Sequence, residues 1–450
     1  MNSIQTIAKI IKDAGHEIYL VGGCVRDNIL GRTPKDYDFT TSAMPDQIKE
    51  IFEKYNDDRI TIKDTGLKHL TLTIVIKDGG PNEMYEITTF RTDHNCDGRH
   101  ADVEVARTLE EDCKRRDFTM NALALDPITG EIIDYFDGQS DIKRKIIRAI
   151  GDPEKRMEED WLRMLRAMRF RAQLGFNIDE SLSRTISKNC RNIASISKER
   201  IRDELFKILG CPSENIRNAI YHLEWSGLLK YIVPPVQSMK YFSQSSAWHR
   251  KDVYEHTIDV LENVSKLTTD VLIRFAALIH DTGKLLTRSG QEGMYKFTAH
   301  AYYGGAMARI ICDDLKMKRV ETNFISKLVA SHMDVKHLKE ACDNKPNRRL
   351  FSRFIRKHVE ILQPLILLGK SDIELDKNTE FFDSILECEY IPEKPSEIKS
   401  PLDGNEIMEF YSCFEPGPWI KNIKNELIEK TLEGEIVDKN DAFKYLEMIK

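Results

Sequence analysis

The feature that most constrains this chain is residues 20–39, which read Leu-Val-Gly-Gly-Cys-Val-Arg-Asp-Asn-Ile-Leu-Gly-Arg-Thr-Pro-Lys-Asp-Tyr-Asp-Phe. Ile18 to Val21 is an apolar run of the kind that forms a short buried strand. Gly22 and Gly23 then let the backbone approach a ligand closely, and residues 25–30 read as a helix whose N-terminal amides suit a phosphate. Arg26 sits where it can clamp that phosphate. After the turn signal at 31–34 come Asp36 and Asp38, two apart and therefore on one face of a strand. Two ionised carboxylates held together repel, and a divalent cation, with oxygen ligation favouring Mg2+, relieves that repulsion. Taken separately, Gly-Gly is an ordinary tight turn and Asp-Tyr-Asp an ordinary solvated edge strand. Together they place a phosphate cradle beside a carboxylate pair, which points to phosphoryl or nucleotidyl transfer.

These residues resemble the signature of the nucleotidyltransferase superfamily and, more narrowly, its class II branch, the bacterial CCA-adding enzymes (tRNA nucleotidyltransferases) and poly(A) polymerases. Arg115-Arg116-Asp117-Phe118-Thr119-Met120-Asn121-Ala122 resembles the second motif of that family. The resemblance implies that Gly23, Arg26 and Arg116 hold the triphosphate while Asp117 and Asn121 shape the site. Residues 134–141, with Asp137-Gly138 and Asp141, resemble the linker that joins the head to the next domain and transmits its movement. Residues 91–105 are polar and without periodicity until their end, and read as a mobile loop. The corresponding family segment is associated with the switch from adding C to adding A, which favours A addition here. Ala101 stands where the family often has proline.

Glu159-Asp160-Trp161-Leu162-Arg163-Met164-Leu165-Arg166-Ala167-Met168-Arg169-Phe170 reads as a two-faced helix. At helical pitch Asp160, Arg163, Arg166 and Arg169 line one side and Leu162, Leu165 and Met168 another. Such a charged stripe is commonly a solvated face, but the segment resembles the nucleotide-selecting motif of the family. There an aspartate and the arginine three residues on read the Watson–Crick edge of the incoming base. Asp160 can only accept hydrogen bonds and Arg163 can only donate them. Cytosine and adenine both offer an amino donor beside a ring-nitrogen acceptor, whereas uracil and guanine present the reverse order. The pair therefore suits CTP and ATP without a template. Arg166 and Arg169 are candidates for orienting Asp160 or holding phosphate. Residues 197–205 open a further helix with Ser197 as N-cap, resembling a supporting motif without a catalytic role.

The expected fold is α+β: an N-terminal nucleotidyltransferase head with a small mixed sheet, followed by all-helical domains. The head spans 1–150. It holds an amphipathic helix at 3–13 and strands at 71–76 and 85–90 separated by a turn at 78–82, with Glu86 as a possible third metal-side carboxylate. A helical nucleotide-selecting and RNA-binding domain follows at 151–240. At 241–375, Asp252-Val253-Tyr254-Glu255-His256 and His280-Asp281-Thr282-Gly283-Lys284 precede His300, His332 and Asp372. This order resembles the HD phosphohydrolase domain. The resemblance implies a mononuclear site of His256, His280, Asp281 and Asp372, extended to two metals by His300 and His332, and mixed nitrogen and oxygen donors suit a transition metal. A domain that keeps the fold without turnover is the alternative. Arg348, Arg349, Arg353 and Arg356 surround Leu350, Phe351 and Phe354 in a basic amphipathic helix, an RNA-gripping surface or a solvated face. The helical tail at 376–450 resembles the family segment that contacts the tRNA body.

A formal net charge of -6 requires any RNA surface to be local. The nine cysteines, at 24, 96, 113, 190, 211, 312, 342, 388 and 413, lack C-x-x-C spacing and so argue against a disulfide framework or a zinc-cysteine site. No apolar run reaches the ~18 to 20 residues of a membrane span, no signal peptide is evident, and a cytoplasmic location is expected. The resulting expectation is template-independent addition of CCA to the tRNA 3′ end from CTP and ATP, with Mg2+ at Asp36 and Asp38. Alternatives are a poly(A) polymerase or A-adding enzyme, and an HD-domain phosphodiesterase acting on RNA ends. A non-catalytic RNA-binding protein is disfavoured because both aspartates are retained.

Overall fold

A mixed sheet dominates the N-terminal part of the computed structural model, which describes residues 3–77, 81–94, 102–244, 252–342, 347–372, 381–382, 385, 399–412 and 415–449. The elements begin α1 (Ser3–Asp13), β1 (Ile18–Val21), α2 (Gly23–Ile29), β2 (Asp38–Thr41) and α3 (Pro45–Tyr55). They continue β3 (Ile60–Gly66), β4 (Thr71–Ile76), β5 (Glu83–Thr89), β6 (Arg91–His94), β7 (Asp102–Val105), β8 (Ala124–Leu125) and β9 (Ile132–Ile133). Seven of these strands form one sheet in the order β3-β4-β5-β2-β1-β8-β9. Its β2–β5 pairing is parallel and the other pairings are antiparallel.

Burial follows the sequence pattern. The buried Ile7, Ala8, Ile10 and Ile11 recur at helical spacing on α1, which packs against β1 and α3. β4 is buried along nearly its whole length because both its faces are covered. The register then places the chemistry. Val21, the last residue of β1, pairs with Asp38, the first of β2, so the Gly22-Gly23 turn and Asp38 lie side by side at one end of the sheet. Glu86 is the register partner of Asp38 on β5.

The expected helix at 3–13 and strands at 18–21 and 71–76 form as read. Helix α2 starts two residues earlier than expected, at Gly23, because Gly22 turns the chain at φ 79°. The expected loop at 91–105 needs correction: β6 and β7 pair as an antiparallel ribbon from Arg91 opposite Val105 to His94 opposite Asp102. Residues 95–101, including Ala101, and 78–80 of the expected turn lie outside the described residues.

The chain divides into two compact units, Met1–Ile232 and Val233–Lys450. In the first, helices including Pro153–Glu159, Leu162–Leu174 and Lys198–Leu209 follow the sheet. The single two-faced helix expected through residue 160 is broken. Asp160 is extended at φ -156°, ψ 103°, and its carboxylate accepts the Leu162 amide hydrogen at 3.1 Å. A short acceptor side chain that can satisfy the backbone outside the helix competes with continuing it. Asp160 therefore does not share a helical stripe with Arg163, Arg166 and Arg169. Ser197 occupies the expected N-cap position of Lys198–Leu209, but its hydroxyl makes no capping hydrogen bond.

In the second unit the main helices are Val253–Leu267, Val271–Ile279, His300–Asp314, Arg319–Ala341, Arg348–His358 and Leu362–Asp372. The C-terminal helices Gly404–Phe410, Trp419–Leu432 and Lys439–Ile449 carry a core of Leu402, Ile407, Tyr411, Leu427, Ile436, Ala442 and Leu446. The basic helix, read as an RNA-gripping surface or a solvated face, also makes contacts within this unit. Arg356 pairs with Glu429 at 3.1 Å and donates to the Asn425 carbonyl at 2.9 Å, and Arg353 lies 3.8 Å from Glu429, so these arginines tie Arg348–His358 to Trp419–Leu432. The side chains of Arg348 and Arg349 and residues 373–380 and 386–398 lie outside the described residues, as do Cys96, Cys388 and Cys413.

Candidate active site and a second ligand cluster

The first site is built at the end of the sheet where β1 stops and β2 starts. Asp36, Asp38 and Glu86 are exposed there. Asp38 and Glu86 share a face because they are register partners. Loss of hydration beside the surrounding protein atoms raises the Asp38 pKa first; Glu86 and Asp36 raise it further, and Arg116 works against them. A carboxyl whose neighbours are other carboxylates is a ligand arrangement that a divalent cation stabilises.

Beside this group lie two guanidiniums. A Cβ on Gly22 would sit 3.2 Å from Arg116 Nη1, and one on Gly23 would sit 3.6 Å from Arg26 Nη2, so the glycines leave room for both cations. Arg116 is oriented by Asp112, which is fully buried and accepts from Arg116 Nη2 at 3.0 Å and from Arg115 Nε at 3.0 Å. Burial pushes the Asp112 pKa up, but the two arginines outweigh it and leave it lowered. Arg116 Nε is buried without an acceptor. Sequence reading overlooked Asp112, although its i,i+4 spacing to Arg116 is a usable signal.

Arg26 does not project freely. Its Nη1 donates to Asn121 Oδ1 at 2.7 Å, its Nε donates to Asp27 at 2.9 Å, and its Nη2 pairs with Asp27 at 2.8 Å. Asn121 Nδ2 donates to Asp117 Oδ1 at 3.0 Å, and Asp117 Oδ2 accepts from Arg166 Nε at 2.8 Å. A continuous relay thus runs Arg26–Asn121–Asp117–Arg166. Burial opposes ionisation of Asp117, yet Arg166, the Asn121 amide and Arg163 lower its pKa to about 2. Arg166 therefore orients Asp117 rather than Asp160. Arg169 pairs with Glu204 at 2.7 Å and covers the Phe170 ring at 4.1 Å.

Asp160 Oδ2 accepts from Arg200 Nη2 at 2.7 Å. Arg163 donates to the Arg156 carbonyl at 2.7 Å, to the Arg115 carbonyl at 2.9 Å and to Glu159. Each side chain of the expected base-reading pair is thus engaged by other partners. No local pattern singles out Arg200, which is 40 residues from Asp160 in sequence.

The second unit gathers the other expected ligands. His256 Nε2 is 2.8 Å from Asp372 and 3.5 Å from Asp281; His280 Nε2 is 3.4 Å from Asp281 and 3.7 Å from Asp372. His300 and His332 join them, their Nε2 atoms 3.6 Å and 3.9 Å from Asp281 Oδ1. His280, His300 and His332 each direct Nδ1 at the carbonyl three residues back, Ala277, Phe297 and Val329, at 2.8, 2.8 and 2.7 Å. In the neutral, metal-binding form of each imidazole those bonds put the hydrogen on Nδ1 and aim the Nε2 lone pair inward. The Nε2 atoms of His300 and His332 are 3.2 Å apart, and His280 Nε2 is buried without a hydrogen-bond partner. This donor set fits a metal ion, and one nitrogen-and-oxygen group, His256, His280 and Asp372, converges closely enough for shared coordination. Gly283 permits it, because a Cβ there would collide with the His300 carbonyl. Lys284 Nζ lies 2.7 Å from Asp281. Side-chain exposure is 13% at His256 and Asp372 but at most 1% at His280, Asp281 and His332, so the cluster opens on the former side.

Known proteins resemble this chain in three segments and in fold. Residues 18–148 match the Poly A polymerase head domain, 175–239 the "Probable RNA and SrmB- binding site of polymerase A", and 253–362 the HD domain. A Lactobacillus helveticus CCA-adding enzyme is 49% identical over 204 residues, 45% of this chain and 48% of that protein. One from Ligilactobacillus salivarius is 42% identical over 272 residues, 59% of this chain and 63% of that protein. The chain thus spans about half the length of the Lactobacillus helveticus relative it matches. Among solved structures, a Bacillus stearothermophilus CCA-adding enzyme in complex with CTP superposes with TM-score 0.69 at 25% identity, covering 100% of this chain and 98% of that one. A Thermotoga maritima CCA-adding enzyme complexed with tRNA shares the fold with TM-score 0.64 at 19% identity, covering 99% of this chain and 94% of that one. Among the described residues no helix is long and apolar enough to cross a membrane.

Proposed function

We propose that this chain adds C, C and A to the 3′ end of tRNA from CTP and ATP, releasing pyrophosphate, and that it acts in the cytoplasm. The observation that carries the reading is the register of Asp38 with Glu86 beside the Gly22-Gly23 turn and Arg116. The similarity to CCA-adding enzymes, some of them solved with CTP, ATP or tRNA, supports it. In this proposal the chain is organised as a head to 150, a selecting and RNA-binding region to 240, an HD domain to 375 and a tRNA-contacting tail.

Asp36, Asp38 and Glu86 would hold Mg2+, and their hard oxygen donors suit it. When bound, the ion polarises the α-phosphate and favours ionisation of the attacking 3′-hydroxyl. Arg116, its Nε lacking an acceptor, takes the triphosphate against the amides following Gly22. Arg26 acts by positioning Asn121 and Asp117. Asp160 accepts from the amino group of cytosine or adenine and Arg163 donates to the neighbouring ring nitrogen, each exchanging its present partner for the base. Arg166 and Arg169 hold the walls of that pocket through Asp117 and Glu204.

A second activity belongs to the proposal: metal-dependent hydrolysis of phosphate esters at RNA ends by the cluster of His256, His280, Asp281 and Asp372, with His300 and His332 adding a second ligand group. The inward Nε2 atoms, with His280 Nε2 buried and without a hydrogen-bond partner, support a bound transition metal. The deciding experiment supplies tRNA transcripts lacking CCA with Mg2+ and single or mixed nucleotides, and sequences the product ends. Arrest after C, C and A establishes the reading. A growing A tract makes the protein a poly(A) polymerase, a lone A an A-adding enzyme, and no addition leaves the metal cluster as the principal activity.

A further inference from the structure

We infer that Arg288 is a phosphate-binding residue at the mouth of the His-Asp cluster, taking a phosphate of a nucleotide or RNA end next to the one held at the metal ligands. The inference rests on reading that cluster as a phosphohydrolase site. Arg288 is exposed, yet it is held in place: its guanidinium lies 4.1 Å from the Phe242 ring centroid and 5.0 Å from that of Tyr295. Aromatic faces on a guanidinium restrict its motion without consuming its hydrogen-bond donors. Among the described residues no acidic group pairs with it and no acceptor takes its hydrogens, in contrast to Arg26, Arg163 and Arg166.

Three connections link the elements that hold this cation to those that carry the cluster. Arg288 pairs in register with Phe297 across a short hairpin, and the Phe297 carbonyl faces His300 Nδ1 at 2.8 Å. The Phe297 ring lies 5.6 Å from Lys284 Nζ, the atom that pairs with Asp281. On the other side, the Phe242 carbonyl accepts from the Val253 amide at 3.1 Å, at the start of the helix that carries His256. A pre-oriented fork of N–H donors suits a phosphate bidentately.

The test measures equilibrium binding of the 5′-phosphorylated uridine dinucleotide pUpU to the full-length, manganese-loaded chain, in parallel with hydrolysis of bis(4-nitrophenyl) phosphate. Uridine is used because the head is proposed to exclude it, and the second compound because it has one phosphate only. Arg288→Gln is expected to weaken pUpU binding by about tenfold and to reduce the salt slope by roughly 0.7, while leaving model-ester hydrolysis within about twofold of the original. Arg288→Lys keeps the charge but loses the fork and is expected to recover only part of the binding. Unchanged pUpU binding in Arg288→Gln, or no binding by the original chain, overturns the inference. Parallel loss of binding and model-ester hydrolysis also overturns it, since that marks a structural role. If the original chain hydrolyses nothing but the Arg288 dependence of binding persists, the hydrolase reading fails and the anion site stands.

Discussion

Asp38 and Glu86 stand opposite one another on adjacent parallel strands, in register, at the end of the sheet where the chain has just turned through Gly22 and Gly23. The nearby Glu86 carboxylate raises the Asp38 pKa beyond what loss of hydration alone does. A cation between them exchanges repulsion for attraction.

Asp38→Ala should therefore abolish nucleotide addition while sparing hydrolysis at the His-Asp cluster. Glu86→Gln, which keeps the shape and removes one charge, should raise the Mg2+ concentration for half-maximal addition by about 10- to 100-fold. Magnesium titrations of radiolabelled ATP incorporation check both, and an Asp38→Ala enzyme that still adds nucleotides removes the central claim.

Base choice should follow Asp160. Asp160→Ala is expected to reduce the preference for CTP and ATP over UTP and GTP by about 10- to 100-fold, because a lost acceptor no longer leaves the wrong base unsatisfied. Arg200→Ala should leave that preference within a few-fold, because Arg200 holds Asp160 only in the free protein in this scheme. Single-turnover rates with each of the four nucleotides distinguish the two, and strict exclusion of UTP and GTP by Asp160→Ala would place selection elsewhere.

Asp117 provides a pH signature. Its folded-state pKa of about 2 lies below its ordinary value of 3.8, so the stabilisation is complete above pH ~4 and disappears as pH falls toward 2. The difference in unfolding free energy between the original chain and Asp117→Asn should shrink by on the order of 2 kcal/mol across that window. Denaturant melts at several pH values measure it; a difference that does not change with pH would contradict the Arg166–Asp117 pairing.

Replacing His280 or Asp281 by alanine should lower the affinity of the second unit for a transition metal by more than about 10-fold and remove phosphohydrolysis. Nucleotide addition should be unaffected. Metal content of the purified variants, read beside both activities, decides whether the cluster is a metal site.

Gly138→Ala should destabilise the first unit by roughly 1–3 kcal/mol, because the new Cβ would collide with the Thr119 carbonyl oxygen and press on Leu123. Thermal unfolding checks this, and an unchanged melting temperature would show that the helix beginning at Gly138 can shift away.

Local grammar carried much of this protein. Strand 18–21, the glycine turn and the adjacent His-Asp pair were legible because each depends on short-range geometry, whereas Asp36, expected on one strand face with Asp38, precedes the strand, which begins at Asp38. Glu86 could be named as a candidate, but only the β2–β5 register decided that it faces Asp38. The stripe of Asp160, Arg163, Arg166 and Arg169 misled for a related reason, since helical spacing cannot show that Asp160 leaves the helix to cap it. The partners of charged side chains, Arg166 with Asp117, Asp160 with Arg200 and Arg356 with Glu429, join positions 49, 40 and 73 residues apart. Sequence determined which groups this protein has available for metal, phosphate and base. Tertiary structure alone decided which of them meet, because a long charged side chain reaches in many directions and its partner is whichever opposite charge the fold brings within about 3 Å.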